Sequence, residues 1–342
     1  MSNEPILPLP FITLTGYLGS GKTTLLNRIL ADPSMGETAV LINEFGDVGI
    51  DHLLVESVSD DVVLLESGCV CCGVGDDFGT ALGNLLDRRR AGQLPPFRRL
   101  LLETSGVADP APIQQRVLTD PRLSTQLSIH SIVTVVDVPL GVRNIKRHLE
   151  CAAQIAVADS LVVTKQDLAS DEELNTLQQQ LVRLNPHARI LPATDVTPTA
   201  ADIFEVARRV SGEASFSYVG AEPLALPSHG RASHADRYTT FSLRWQGALD
   251  WEDVKAWLEG LLLARGDSIL RMKGFLHVRD DPRPVVIQGV QHALYPPVHL
   301  AAWAADGPRT ELVFITLDFP REAAARSVQQ FFARDLASLE LE

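Results

Sequence analysis

The chain has 342 residues, of which 45% are hydrophobic, so it is long enough to bury a sizeable core and to form two domains. Its formal net charge of −13 opposes nucleic-acid binding, because nucleic-acid sites carry a surplus of Lys and Arg on one face. No apolar run reaches the roughly 18 to 20 residues that a membrane span requires, and the N-terminus lacks a signal-peptide pattern. We therefore expect a soluble, cytoplasmic protein that binds neither nucleic acid nor membrane.

Residues 11–210 alternate short apolar runs with segments in which apolar residues recur every three or four positions. This alternation is typical of βα units that wind a mostly parallel sheet. We predict strands at residues 11–15, 38–43, 62–65, 99–103, 132–137, 161–164 and 189–191. We predict helices at residues 22–30, 78–90, 113–118, 171–184 and 201–210. Ligands of doubly wound folds bind at the carboxyl ends of the strands, and functional residues are expected there.

The periodicity lapses between residues 211 and 236, where Gly, Ser, Pro and Ala dominate, and we place a linker there. The linker divides a doubly wound α/β domain at residues 1–210 from a smaller α+β domain at residues 237–342. In the second domain, strands are predicted at residues 238–245, 269–278, 285–290 and 312–317, and helices at residues 251–264 and 321–336.

The sequence GYLGSGKT matches the phosphate-binding pattern G-x4-G-K-[ST], and it follows an apolar strand and opens a helix. Its glycines let successive backbone N–H groups point at phosphate oxygens, and the helix N-terminus adds its positive dipole end. Lys22 is expected to reach the β- and γ-phosphates, and the Thr23 hydroxyl to bind Mg2+. The predicted nucleotide-binding residues of this loop are Gly16, Gly19, Ser20, Gly21, Lys22, Thr23 and Thr24. The flanking strand and helix disfavour the alternative, a glycine-rich turn with a surface lysine.

The sequence LVVTKQD, which ends at Asp167, favours guanine as the base. A carboxylate that follows a buried strand can accept hydrogen bonds from both guanine N1–H and the exocyclic amine, a pattern that adenine does not offer. The stem of Lys165 is expected to pack over the base. Thr164 stands where Asn is usual, so a chance Lys-x-x pattern at a strand end is the alternative. Ala193 lies where a further loop usually completes the base pocket.

Acidic residues follow two of the predicted strands. Glu103 is placed where a second acidic residue holds Mg2+ through water, and Gly106 where the chain can sense the γ-phosphate. The predicted catalytic residues are Lys22, Thr23, Glu103 and Gly106. Glu44 and Asp47 lie in a candidate switch loop that orders around the γ-phosphate, although both can equally be turn residues.

Three cysteines, Cys69, Cys71 and Cys72, stand between two glycines after one predicted strand and before a helix. Soft thiolates select Zn2+, Cu(I) and related ions, and a helix N-terminus lowers the pKa of a thiol towards the ligand form. Three sulfurs leave a tetrahedral metal one ligand short, which suits transfer, and Glu44, Asp47 or water can supply the fourth. The alternative is a set of small buried apolar side chains.

The other candidate metal ligands carry weaker signals. Cys151 stands alone in an Ala-rich helical stretch, so we interpret it as a core residue. His229 and His234 lie in the linker, where they either relay a metal or are simply solvated.

These residues fall within segments that resemble the CobW-type family of metallochaperone GTPases, and in particular its YjiA-like branch. The matching segments are GYLGSGKTT, INEFGDVGID, ESGCVCCG, LLETSGVADP, SIVTVVDV, VVTKQDL, LPATDV, RMKGFLHV and VIQGVQHALY. They occur in order along nearly the whole chain, so the resemblance is specific.

The resemblance implies a doubly wound P-loop GTPase domain followed by an α+β domain of the family type. It also implies a slow, metal-responsive hydrolysis of GTP to GDP, which gates metal transfer from Cys69, Cys71 and Cys72 to an unidentified client metalloprotein. Asp47 departs from the Glu of many relatives, and Thr164 from the common Asn. The linker also lacks the long His-rich run of some relatives.

Several functions remain open at this point. The leading hypothesis is a nucleotide-gated carrier of Zn2+, with Co2+, Ni2+ or iron as other cargoes for a specific metalloenzyme. A metal-sensing or storage protein with nucleotide as a structural ligand is the first alternative. A P-loop kinase that prefers ATP is the second, and the segment 164–167 argues against it. The oligomeric state, including a homodimer, is not readable from the sequence.

Overall fold

The computed structural model describes residues 8–43, 54–59, 62–67, 76–192, 237–303, 307–332 and 339–341. The chain divides into two compact units, and each is described by itself. The first contains residues 1–141, 158–174 and 189–206, and the second contains residues 142–157, 175–188 and 207–342. None of the helices in the described ranges is long and apolar enough to cross a membrane.

The first unit is built on an eight-stranded sheet with the strand order β3-β4-β2-β5-β1-β6-β7-β8. The strands are β1 (Leu9–Thr15), β2 (Thr38–Asn43), β3 (Leu54–Ser59), β4 (Val62–Ser67), β5 (Arg99–Glu103), β6 (Leu127–Asp137), β7 (Ser160–Thr164) and β8 (Arg189–Pro192). All neighbouring pairs are parallel except β3 with β4, which is antiparallel at one edge. The predicted mostly parallel sheet is therefore confirmed.

Seven helices accompany this part of the chain within the described ranges. They are α1 (Lys22–Leu30), α2 (Asp76–Arg90), α3 (Ala111–Thr119), α4 (Pro121–Ser124), α5 (Val138–Arg147), α6 (Leu149–Ala156) and α7 (Asp171–Leu184). Adjacent residues of β1 serve opposite faces of the sheet, because Phe11 joins a core with α2 and α3 while Ile12 joins a core with α1. Both faces are thus covered by helices, as the doubly wound prediction requires.

Four of these elements, β3, α4, α5 and α6, were not predicted, and the predicted helix at residues 201–210 lies outside the described ranges. Strand β3 mixes polar residues with two valines and one leucine, so it has no continuous apolar run. Pro139 and Gly141 resemble helix breakers, yet both lie within α5, and α6 follows that helix. Pro139 is the second residue of α5, where its missing N–H is tolerated.

The second unit contains an antiparallel sheet with the strand order β12-β11-β10-β14-β9-β15, and β13 pairs with β11. Its elements are β9 (Tyr238–Trp245), α8 (Trp251–Arg265), β10 (Ile269–Leu276), β11 (Val285–Val290), β12 (Ala293–Leu294), β13 (Val298–His299), β14 (Thr310–Leu317), α9 (Arg321–Phe331) and β15 (Leu339–Leu341). Helices α8 and α9 share one apolar core with β9, β10 and β14. The α+β prediction is confirmed, although α9 ends at Phe331 and not at residue 336.

Helix α6 and the C-terminal part of α7 also lie in the second unit, where polar side chains bind the backbone carbonyls at both helix ends. The buried Arg271 guanidinium donates a hydrogen bond to the carbonyl of Val157, the C-cap residue of α6. Thr240 Oγ1 donates to the Leu184 carbonyl at the end of α7 over 3.1 Å. The last carbonyls of a helix lack intrahelical partners and carry partial negative charge, so these donors stabilise both helix ends. The division of the chain at residues 211–236 stays a prediction.

His187 follows α7 in this unit and has an unusual environment. Its Nε2 atom is buried and has no hydrogen-bond partner among the described residues. Burial, together with the nearby positive charges of Lys273 and Arg271, lowers its pKa from 6.5 to about 4. The folded protein therefore holds this imidazole neutral.

We predict that His187 makes stability fall as the pH is lowered from 6.5 to 4. In this range the unfolded chain binds a proton at His187 that the folded chain excludes, so up to about 3 kcal/mol of stability is present above pH 6.5 and lost by pH 4. Urea unfolding of the wild type and His187→Gln at pH 7, 5.5 and 4.5 measures this effect. The free energy of unfolding of the wild type should fall, relative to that of the variant, as the pH is lowered. A constant difference contradicts the prediction.

Candidate functional site

The phosphate-binding motif forms the turn between β1 and α1. Gly16 has φ +145°, and a Cβ on it would lie 2.3 Å from the Val135 carbonyl oxygen of β6, so only glycine fits. Gly21 has φ +97° and is the N-cap of α1, where it supplies no capping side chain. The first turn of α1 contains no acidic residue. Its backbone N–H groups and positive dipole end are thus available to an anion.

The side chain of Lys22 folds back onto this turn. Its Nζ atom donates hydrogen bonds to the Gly16 carbonyl over 2.9 Å and to the Tyr17 carbonyl over 3.4 Å. The ammonium group and the N-terminus of α1 therefore concentrate positive charge at the same loop. This arrangement fits the phosphates of a nucleotide, as the sequence predicted.

Thr23 and Glu103 meet beside the turn. Thr23 Oγ1 donates a hydrogen bond to Glu103 Oε1 over 2.8 Å, although 80 residues separate them. Glu103 is the last residue of β5 and is only 3% exposed, and β5 pairs with β1 so that Leu14 lies opposite it. A hydroxyl and a carboxylate oxygen are hard donors of the kind that Mg2+ prefers. Thr24 is exposed at the start of α1.

The chain after β5 runs along the phosphate-binding turn. Thr104 donates its backbone N–H to the Leu14 carbonyl over 2.9 Å, and its hydroxyl lies 2.7 Å from the hydroxyl of Thr15. A Cβ on Gly106 would lie 2.6 Å from Leu18 Cδ2 and 2.8 Å from the Leu18 backbone nitrogen. Gly106 therefore touches the turn directly, and a movement of either segment must displace the other.

The guanine motif lies on the other side of the turn. Thr164 Oγ1 donates to the Ser20 carbonyl over 2.7 Å, and Lys165 Nζ donates to the Gly19 carbonyl over 2.6 Å. Asp167 is exposed in a single 3-10 turn that follows Lys165. An exposed carboxylate beside the braced turn fits the predicted contact with a base.

Asp137 belongs to this site but was not predicted as a site residue. It ends β6, is 2% exposed, and pairs in register with Thr164 of β7. Its Oδ2 atom lies 3.9 Å from Lys165 Nζ. The sequence did carry a signal, because Asp137 ends an apolar strand just as Glu103 does.

The predicted zinc ligands and several further candidates lie outside the described residues. These are Glu44, Asp47, Cys69, Cys71, Cys72, Ala193, His229 and His234. The described strands locate where the cysteine and switch segments begin, because Asn43 of β2 pairs with Ser67 of β4, and Ile42 pairs with Glu103. Both segments therefore begin at the carboxyl ends of the parallel strands, where Glu103 also lies. Cys151 is buried in α6, which confirms its interpretation as a core residue.

A doubly wound sheet with a phosphate-binding turn, a Thr–Glu pair and a Lys-x-Asp motif defines a nucleotide-binding protein of the P-loop type. The chain belongs to the CobW family. Residues 10–192 match the family model "CobW/HypB/UreG, nucleotide-binding domain", and residues 238–332 match "Cobalamin synthesis protein cobW C-terminal domain". The resemblance inferred from the sequence is thus confirmed.

Several named proteins are similar to this chain. The zinc chaperone YjiA of Escherichia coli is 30% identical over 315 residues, which cover 92% of this chain and 96% of that protein. The zinc-regulated GTPase metalloprotein activator 1 of Schizosaccharomyces pombe is 36% identical over 198 residues, covering 55% of this chain and 46% of that protein. The crystal structure of Zn(II)-bound YjiA GTPase has a TM-score of 0.71 at 25% identity, with 95% and 99% of the two chains covered.

We predict that Gly106→Ala weakens nucleotide binding at least tenfold, about 1.4 kcal/mol, because the added methyl group must displace the backbone of Leu18. Calorimetric titration with GTP and GDP measures the change. Gly260→Ala is the matched control, since nothing lies within 4 Å of a Cβ at that position of α8. That control should keep its affinity and gain about 1 kcal/mol of helix stability. Wild-type affinity in Gly106→Ala contradicts the proposed contact.

Proposed function

We propose that this protein is a Mg2+-dependent GTP hydrolase that uses its nucleotide state to control the binding and release of a transition metal. The observation that carries the proposal is the convergence of the phosphate-binding turn, the Thr23–Glu103 pair and the start of the cysteine segment at one edge of one sheet. The cargo is Zn2+, held by Cys69, Cys71 and Cys72, and the recipient is a client metalloprotein.

The residues around the turn divide the work of hydrolysis. Lys22 and the N-terminus of α1 bind and neutralise the β- and γ-phosphates. Thr23 would bind Mg2+ directly and Glu103 would hold it through water, and the ion would supply charge neutralisation at the phosphates. Gly106, which contacts Leu18, responds to the γ-phosphate and to its loss. The products are GDP and phosphate.

The base side selects GTP. Asp167 accepts hydrogen bonds from guanine N1–H and the exocyclic amine, and the stem of Lys165 covers the ring, with Ala193 completing the pocket. The Oδ2 atom of Asp137 lies 3.9 Å from Lys165 Nζ and attracts this ammonium group. Gly16, Gly19, Ser20, Gly21 and Thr24 complete the binding of the phosphates.

The strand order supports coupling between nucleotide and metal. From β4, after which the cysteine segment begins, β2 and β5 lead to β1, after which the phosphate-binding turn begins. Three strand spacings of about 4.8 Å separate β4 from β1, a distance of about 14 Å. Strand β2 lies between β4 and β1, and Glu44 and Asp47 follow it in the sequence. A switch segment there can therefore respond to the γ-phosphate and complete the metal site.

The relatives support zinc as the cargo. Three of them are named for zinc, among them the zinc chaperone CobW from Pseudomonas aeruginosa, which is 29% identical across 96% of this chain. Thiolate ligands suit Zn2+ as well, whereas Co2+, Ni2+ or iron remain alternative cargoes of a carrier built in this way. The client, a homodimer and a cytoplasmic location stay predictions.

We predict that Glu103→Gln raises the Mg2+ concentration needed for half-maximal GTP hydrolysis at least tenfold, because it removes the charge that holds the ion. Phosphate release measured against Mg2+ concentration tests this. Asp87→Asn is the control, since that carboxylate is exposed on α2 and pairs with Arg122. An unchanged Mg2+ dependence in Glu103→Gln contradicts the assignment.

We predict that Zn2+ affinity changes at least tenfold, about 1.4 kcal/mol of coupling, between the protein with a non-hydrolysable GTP analogue and the protein with GDP. Chelator competition in Mg2+ measures both affinities. A triple variant with Ser at positions 69, 71 and 72 should lose the difference, and Cys151→Ala should keep it. Equal affinities in both nucleotide states would leave a metal-sensing or storage protein with nucleotide as a structural ligand.

A further inference from the structure

Thr164 stands where an asparagine is usual, and its hydrogen bonds show what its hydroxyl can do. Thr164 Oγ1 lies 2.7 Å from the Ser20 carbonyl oxygen and 3.5 Å from the Val136 carbonyl oxygen. A carbonyl oxygen only accepts hydrogen bonds, and a hydroxyl has a single proton to donate. At 2.7 Å the proton therefore lies on the line to Ser20, and Thr164 retains only its lone pairs.

The hydrogen bond from Thr164 to Ser20 limits which atoms of the base this residue can bind. Guanine N7 is an acceptor, so it binds only to a donor. An asparagine at this position would bring an amide NH2 group with two protons, whereas the hydroxyl of Thr164 has none left to give. The guanine features that remain for this motif to read are N1–H and the exocyclic amine, which face a carboxylate such as Asp167.

The neighbouring lysine repeats the same arrangement. Lys165 Nζ donates to the Gly19 carbonyl over 2.6 Å, and its positive φ of 55° turns the chain so that two consecutive side chains bind two consecutive carbonyls of the turn. A Cβ on Gly21 would lie 3.8 Å from Thr164 Oγ1 and 3.9 Å from its methyl carbon, so the two segments lie about one methyl group apart there. The guanine motif and the phosphate-binding turn are thus joined side by side.

We propose that Thr164 is a positioning residue for the phosphate-binding turn and does not donate to the base, so the protein recognises guanine without a contact from this position to N7. The inference rests on the proposed GTP binding, but it does not depend on metal transfer. It assigns Thr164 to phosphate binding and leaves the choice of base to Asp167. Loss of the Thr164 hydroxyl then leaves the Ser20 carbonyl without this donor, and the affinity falls for every ligand that binds to the turn.

Binding is measured by competition against a fluorescent GTP analogue in Mg2+, with GTP, 7-deaza-GTP and inorganic tripolyphosphate as competitors. The wild type should bind GTP and 7-deaza-GTP within twofold of each other. Thr164→Val should weaken GTP, 7-deaza-GTP and tripolyphosphate by a common factor of at least five. Thr164→Ser, which keeps the hydroxyl, should restore all three affinities.

Asp167→Ala is the matched variant for a residue that reads the base. It should weaken both guanine nucleotides and leave tripolyphosphate binding unchanged. The inference is overturned if the wild type prefers GTP over 7-deaza-GTP at least fivefold, or if Thr164→Val binds tripolyphosphate as the wild type does. Failure of the wild type to bind GTP at all is a different result, because it removes the proposed function itself.

Discussion

The register of β1 between β5 and β6 is the constraint on which the nucleotide site depends. On one side it sets Leu14 opposite Glu103, which brings that carboxylate within 2.8 Å of Thr23. On the other side it brings Gly16 so close to Val135 that no Cβ fits between them. A shift of one residue would turn Glu103 to the other face of the sheet and remove the Thr–Glu pair. Parallel pairing thus assembles the site from segments that are far apart in sequence.

The turn between β1 and α1 is held from both sides by neighbouring segments of the chain. Gly106 presses on Leu18, while Thr164 and Lys165 bind the carbonyls of Ser20 and Gly19. The glycines of the turn have no side chains with which to fix its backbone, so these neighbouring segments stabilise its conformation together with Lys22. The same contacts give a change at the phosphates a route to the segments after β5 and β7. In the proposed function, one small turn therefore serves both nucleotide binding and the response to the γ-phosphate.

The second unit shows a different solution to a similar problem. The carbonyls at the ends of α6 and α7 are satisfied by side chains of a sheet that follows them by many residues, among them Arg271 and Thr240. The apolar side of that sheet packs against α8 and α9, so its two faces have separate tasks. Burial keeps His187 neutral, and the positive charge of Arg271 at the end of α6 adds to this effect because like charges oppose protonation.

The sequence by itself determined the features that depend on local spacing. The glycines of residues 16–21, the alternation of apolar runs and helical periods, and the carboxylates at strand ends predict the fold class and most of the nucleotide site. Tertiary structure decided the rest, because hydrogen-bond partners such as Ser20 for Thr164 are distant in the chain and leave no local pattern. The role of Asp137 became visible only when β6 and β7 were paired, and α5 began at residues that resemble helix breakers. Such features depend on which neighbours the folded chain supplies, and a single sequence does not specify these neighbours by its spacing.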